Sequence, residues 1–324
     1  MKAIRVHEFG GPEKLLLQEL PDLQPVEKEI LVEVRAAGVN PVDTYIRAGT
    51  YARRPVLPYT PGHDGAGVVL ACGDGTDRFQ PGDRVYIAGS ITGTYAEQSL
   101  CLESQVFPLA QNATFQQGAA IGIPYGTAFR AIFQKAHAQP GESILIHGAS
   151  GGVGIAAVQL ARACGMTIIG TAGTDHGRAL VRENGARYVL DHSSPHLVQE
   201  VLQITNGKGV EVILEMLANK NLKDDLLMVS RNGRIVVIGN RGSIEINPRD
   251  LMSRDAIMLG MLLFNTPQQD LSVIHAALAS GLETGVLHPV IGVEMPLAEA
   301  SRAHERIFEP GKTGKIVLIP ETRS

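Results

Sequence analysis

The residues best spaced to do chemistry lie at 148–154: Gly148-Ala149-Ser150-Gly151-Gly152-Val153-Gly154. A short apolar run at 143–147 leads into them, and a stretch rich in Ala, Val and Leu over 153–164 leads out. A strand–turn–helix of this kind is where a dinucleotide fold binds the cofactor pyrophosphate. One glycine lets the chain reverse, a second lets the backbone approach the phosphates, and a third lets helix and strand pack. The free N–H groups of the helix start face the negative charge. The Gly-x-Gly-x-x-Gly spacing falls on 149, 151 and 154, with Ala149 in place of the first glycine. A plain glycine turn gives the same local pattern, but the flanking strand and helix and a second strand over 167–171 favour a dinucleotide.

The end of that second strand selects the cofactor. NAD sites carry an acidic residue there that binds the ribose 2′-hydroxyl. Here the place is filled by Gly173, in Thr171-Ala172-Gly173-Thr174, so no carboxylate stands there to repel a 2′-phosphate. Asp175 lies slightly beyond. Arg178 follows within one helical turn, either as positive charge for the phosphate or as a solvated helix residue. The pattern favours NADPH over NAD.

Elements must hold these residues in place. The first third is β-rich: residues 29–37 and 65–70 alternate apolar and polar, 79–86 is a turn and strand, and 93–101 supplies another strand. Short strands broken by Gly and Pro predict a compact barrel-like fold. Residues 115–121 and 125–136 read as helices. From 142 onward strands (143–147, 167–171, 188–190, 210–214, 235–238) alternate with helices (153–164, 176–184), which predicts a parallel sheet covered on both faces. Helices over 268–280 and 297–305 follow, and the β-branched strand 315–319 is placed to return to the N-terminal domain. The expected organisation is α/β, with a catalytic domain of residues 1–122 and 266–324 and a dinucleotide-binding domain of residues 123–265.

The bulk numbers exclude several classes. A chain of 324 residues, 44% hydrophobic, 19% charged and with net charge −4, has the balance of a soluble globular protein and no basic surface for nucleic acid or anionic lipid. No run approaches the roughly 18–20 apolar residues of a membrane span. Cys72, Cys101 and Cys164 are too scattered for a disulfide framework or a metal knuckle. They read as small core residues of a cytoplasmic protein.

An all-β domain, a Rossmann-like domain and a returning C-terminal strand together resemble the medium-chain dehydrogenase/reductase superfamily, whose catalytic domain is a GroES-like barrel. Two segments carry this: Ala37-Gly38-Val39-Asn40-Pro41-Val42-Asp43-Thr44-Tyr45 and Pro61-Gly62-His63-Asp64-Gly65-Ala66-Gly67. In the zinc alcohol dehydrogenases of that superfamily a cysteine stands where this chain has Asn40, and a histidine equivalent to His63 binds zinc. The third ligand position falls on or near Ala119, and the four-cysteine structural lobe is missing. One imidazole cannot hold a catalytic zinc, which takes three protein ligands, so no metal is expected and His63 reads as a hydrogen-bonded pocket residue. Asn40 and Tyr45 are then the polar groups expected to face substrate and nicotinamide. Tyr45 either donates to a carbonyl oxygen as charge builds there or fills the pocket wall as an aromatic.

Within the superfamily the chain is similar to the zeta-crystallin branch of NADPH:quinone reductases, from Lys2 to about Leu318. The runs GVNPVDTYIRAGTY (38–51), LPYTPG (57–62), QGAAIGIPYGTAFRA (117–131), EMLAN (215–219) and GSIEINPRD (242–250) carry the likeness. The resemblance implies cofactor contacts at Tyr45, at Ser150, Gly151, Gly152 and Val153, and at Gly173, His192 and Asn221. It adds the turn Ile238-Gly239-Asn240-Arg241 and Met261, Leu262 and Leu263. Ile238-Gly239 is also expected on physical grounds, at the carboxyl end of a strand. Lys315 is a weaker candidate for a phosphate contact; an exposed strand lysine reads equally well. His63 and Gly126 depart from the branch and bear on the substrate pocket.

The resemblance implies NADPH-dependent reduction of ortho-quinones, in one-electron steps that release semiquinone, by a homo-oligomer (dimer or tetramer). The apolar runs 235–238 and 257–264 read either as edge strands for such pairing or as internal strands. Reduction of the C=C bond of an enone or enoyl thioester is the alternative, and it asks Tyr45 to serve as proton donor. A non-enzymatic alternative, as a structural crystallin or an AU-rich RNA binder, gets no support from the acidic balance.

Overall fold

The computed structural model describes residues 1–321 and resolves the chain into two compact units. One comprises Met1–Ile123 and the chain from His275 onward; the other is Pro124–Ile274. The second boundary falls inside the helix Gln268–Glu283.

In the first unit the long strand Glu29–Val39 organises a seven-stranded sheet. It pairs along its length with Asp64–Cys72, along residues 29–33 with Gln98–Leu102, and along 37–39 with the C-terminal strand Lys315–Ile319. Register shifts near Leu31 and Val34 let one strand serve three partners, because a bulge bends a strand and increases its twist. The alternating apolar residues point inward: Ile30, Val32 and Val34 join Val85, Ile87, Tyr95 and Leu318 in one core. The final strand does return to the N-terminal unit, antiparallel to Glu29–Val39 and parallel to Ile291–Pro296.

The second unit is built on six parallel strands in the order Tyr188–Leu190, Thr167–Thr171, Ser143–Ile146, Val210–Glu215, Val229–Val237, Ile257–Gly260. The chain builds outward from Ser143–Ile146 and then starts again on that strand's other side. The reversal makes a switch point between Ser143–Ile146 and Val210–Glu215, where such sheets bind ligands. Both central strands are nearly continuous apolar runs with buried side chains, as expected when helices cover both faces. Leu145, Ile169, Ile213 and Ile235 share a core with Leu222 and Leu226 of the helix Ala218–Met228.

The oligomer expectation needs one correction. Residues 235–238 are not at an edge, because Val229–Val237 lies between two neighbours; Ile257–Gly260 is the edge strand. Among the described residues no helix is long and apolar enough to cross a membrane.

Candidate functional site

The parallel sheet explains why residues scattered over 115 positions can meet. The glycine loop follows Ser143–Ile146, Gly173 follows Thr167–Thr171, and His192 follows Tyr188–Leu190. Asn221 lies in the first turn of the helix after Val210–Glu215. Ile238, Gly239, Asn240 and Arg241 follow Val229–Val237, and Met261, Leu262 and Leu263 follow Ile257–Gly260. All lie just past the carboxyl ends of parallel strands, along one edge of the sheet.

Local contacts fix the phosphate turn. Gly148 adopts the left-handed region (φ 57°), which a side chain would resist. Its N–H donates to Thr171 Oγ1 (3.2 Å), and Ala149 N–H donates to the Thr171 carbonyl (2.8 Å), tying the turn to the neighbouring strand. A Cβ on Gly154 would sit 2.4 Å from the Gly148 carbonyl oxygen, so this third glycine sets the close approach of helix to turn. The helix Gly152–Ala163 starts from Gly151, which brings no side-chain cap, so its first N–H groups suit an anion. This is a good fit to a dinucleotide pyrophosphate.

A Cβ on Gly173 would lie 2.7 Å from the His192 ring, so the two residues are in contact. Gly239 packs on the Met216 carbonyl, where a Cβ would approach to 2.2 Å. Asn221 Nδ2 donates to Glu215 Oε1 (3.1 Å). Asn219, which spacing did not single out, clamps the next turn: its N–H donates to Asn240 Oδ1 (3.0 Å) and its Oδ1 accepts from Arg241 N–H (3.0 Å). Gly126 lies beside Leu263, where an added Cβ would make ordinary contacts at 3.5 Å.

Arg178 differs from both readings of its sequence position. It is partly buried and pairs with Asp191 (3.0 Å) and Asp175 (2.6 Å). A 2′-phosphate would have to compete with these two carboxylates for the guanidinium. Spacing allows the Asp175 pair, three residues away on the same helix, but not the Asp191 pair, since Asp191 follows the neighbouring strand Tyr188–Leu190.

In the first unit a buried polar network occupies the region around Asn40 and His63. Asn40 caps the helix Pro41–Arg47, a seven-residue element too short to give a periodic signal; its N–H donates to Asp43 Oδ2 (2.9 Å). Its amide is occupied: Nδ2 donates to Asp64 Oδ2 (2.9 Å), and Oδ1 accepts from the Lys315 ammonium. Asn40 is 2% exposed, so both ends of its amide are engaged inside this network. Lys315 is not an exposed strand lysine. It is buried, with Nζ 3.0 Å from Asp64 Oδ2, and Asp64 Oδ1 accepts from Ile123 N–H (2.8 Å).

His63 is the hydrogen-bonded histidine the sequence suggested, with Nδ1 3.0 Å from Asp43 Oδ1. Burial alone would push the Asp43 carboxyl up, but the His63 bond and charge outweigh it and hold the group below its usual range. Burial would lower His63, and the bond and charge of Asp43 outweigh that in turn, so the imidazole is raised. Behind them Tyr95 bridges Asp43 Oδ2 (3.2 Å) and His304 Nε2 (3.1 Å). Burial pushes His304 down to about 4, so it is neutral. Its Nδ1 lacks a partner, which assigns the proton to Nε2: His304 donates to Tyr95, and Tyr95 donates to Asp43. Tyr45, two residues past Asp43, is half-buried with its ring stacked on Phe308 (6.1 Å between centroids). Ala119 is buried, and its carbonyl lies against Gly38.

Residues 26–127 match the family model described as alcohol dehydrogenase GroES-like domain, and residues 152–280 match that described as zinc-binding dehydrogenase. The chain is 49% identical to the quinone oxidoreductase of Rattus norvegicus over 321 residues, 98% of each chain. It is 48% identical to the quinone oxidoreductase of Homo sapiens over the same span. Among solved structures, the Escherichia coli quinone oxidoreductase complexed with NADPH matches at a TM-score of 0.89 and 32% identity, covering 99% of this chain and 100% of that one. With identities of this size over nearly the whole of both chains, the protein belongs to the quinone oxidoreductase family of the medium-chain dehydrogenase/reductases.

Proposed function

We propose that this chain reduces quinones with NADPH and does so without zinc. The observation that carries the reading is the gathering of the glycine loop, Gly173, His192, Asn221 and the 238–241 turn past the carboxyl ends of one parallel sheet, in a family whose named members are quinone oxidoreductases. NADPH, when bound, supplies the hydride. The residues of the chain bind and orient. The N–H groups of the Gly151–Val153 turn hold the pyrophosphate, and Gly173 and His192 border the adenosine end. Tyr45 donates a hydrogen bond to the acceptor oxygen as it gains charge.

The donor set around His63 supports the absence of zinc. Ala119 offers no ligand atom, the Asn40 amide is engaged by Asp64 and Lys315, and His63 Nδ1 is paired with Asp43. The Lys315 ammonium already neutralises Asp64, and a second cation beside it would be repelled. A quinone is reactive enough that positioning replaces Lewis-acid activation.

We also propose a cytoplasmic homo-oligomer acting on ortho-quinones. All three cysteines are free thiols, which suits a reducing compartment. Ile257 on the edge strand is 51% exposed and Leu262 after it 42%, an apolar edge of the kind that pairs with a second copy.

The test is to compare NADPH oxidation on 1,2-naphthoquinone with that on a crotonyl thioester, for wild type and Tyr45→Phe. The reading expects faster quinone turnover that is weakened, not abolished, in the variant. Faster thioester turnover, lost in Tyr45→Phe, would replace it with enoyl reduction. Oxygen uptake during quinone turnover would identify one-electron release.

A further inference from the structure

Directly under the glycine loop, three ionisable side chains from three elements meet in the core of the second unit. His147 directly follows the strand Ser143–Ile146 and precedes Gly148, Glu215 ends the neighbouring strand, and Asp225 comes from the helix Ala218–Met228. All are buried, Glu215 and Asp225 at 0% exposure. Their polar atoms lie within 4.8 Å of one another. His147 Nε2 is 2.8 Å from Asp225 Oδ1 and 3.6 Å from Glu215 Oε2.

The hydrogen bonds leave a specific gap. Glu215 Oε1 accepts from the N–H of Leu217 and from Asn221 Nδ2. Glu215 Oε2 and Asp225 Oδ2 are buried with no donor at all. Two neighbouring buried carboxylates that both lack a donor cannot both stay ionised, and a proton between them satisfies both oxygens at once. Burial pushes Glu215 up to about 8 and Asp225 up to about 7, and it lowers His147. Asp224, on the same helix as Asp225, adds negative charge felt by His147 and Asp225. The imidazole is therefore neutral and donates from Nε2 to Asp225.

We propose that Glu215 and Asp225 are positioning residues for the cofactor: a proton shared between them keeps a second negative charge from forming beneath the phosphate turn and holds Glu215 Oε1 where it aims Asn221. The inference rests on the dinucleotide reading of this sheet edge. When the proton leaves, the two carboxylates repel each other, and the extra charge opposes an anionic dinucleotide. A unit charge acting over ~10 Å at an effective dielectric of ~20 weakens binding about tenfold.

Glu215→Gln is the diagnostic variant. Its amide oxygen still accepts from Asn221, and its amide N–H donates to Asp225 with no titratable proton. The experiment measures the NADPH dissociation constant by fluorescence from mildly acidic to alkaline pH in wild type, Glu215→Gln and Asp225→Asn. The wild-type constant should rise about tenfold through the alkaline range, and the Glu215→Gln constant should lose that rise. The cofactor's own 2′-phosphate is the same in both experiments, so the difference between the two proteins reports the cluster. A flat wild-type profile, or the same slope in Glu215→Gln, would overturn the proposal. Infrared spectra of the cofactor-free protein provide a readout that survives even if NADPH is the wrong ligand. A buried protonated carboxyl band should be present at neutral pH and lost in Glu215→Gln. Its absence from wild type, or a stoichiometric divalent cation bound to wild type and lost in the variant, would also overturn it.

Discussion

Replacing His63 by alanine would leave Asp43 as a buried carboxylate held only by Asn40 N–H and Tyr95. The loss of a bond to a buried charged group costs ~1–3 kcal/mol. The pH dependence has a definite sign. His63 is raised, so its contribution is complete below its unfolded value and fades as pH rises through the folded one. Asp43 is lowered, so its contribution is present above its unfolded value and fades as pH falls through the folded one. The stability gap between wild type and His63→Ala, measured by urea unfolding, should be widest at weakly acidic pH and should narrow on going alkaline. A gap that widens toward alkaline pH would contradict the pairing. Lys315→Met should cost more, ~3–5 kcal/mol, because it strands the fully buried Asp64 charge. Adding Asp64→Asn should recover part of that loss, and strict additivity in the double mutant would show that the two groups do not interact.

At the scale of elements, the close approach of helix to turn rests on Gly154. Gly154→Ala places a methyl 2.4 Å from the Gly148 carbonyl and 2.5 Å from Ala149 Cα, both backbone atoms that cannot swing aside. The helix start must move, and NADPH affinity should fall at least tenfold in a fluorescence titration; an unchanged affinity would mean that the turn does not hold the cofactor. On the other side of the sheet, Ile257→Lys puts a charge on the exposed edge strand. If that strand pairs two copies, sedimentation should show monomers, whereas an unaltered oligomer would move the interface elsewhere. These elements were legible in the sequence to different degrees. Strands such as Ser143–Ile146 and Lys315–Ile319 lie where apolar runs placed them, because a strand whose side chains are nearly all buried leaves a continuous apolar signature. The helix Pro41–Arg47 left no such trace; its signals were only the Asn40-Pro41 start and the Asp43 side chain that accepts from Asn40.

For the whole molecule, the legible part was the order of elements and the turn that receives the phosphates, both local patterns. What stayed hidden was long-range pairing. Asn40 and Lys315 are 275 positions apart, and His147 and Asp225 are 78 apart. No spacing rule brings such residues together; the strand order does. That is why the sequence showed neither the Asp64 and Lys315 partners of Asn40 nor the Asp191 partner of Arg178. Two units with separate cores also make a prediction about ligand linkage. NADPH at a hundredfold excess over its dissociation constant should stabilise the folded chain by ~2.7 kcal/mol, and NADH at the same concentration should stabilise it less. The most direct test of the account is the rate of quinone-dependent NADPH oxidation by protein stripped of metal with a chelator. The account predicts full activity, with NADPH preferred over NADH. Activity that disappears on stripping and returns with zinc, or that runs faster with NADH, would contradict it.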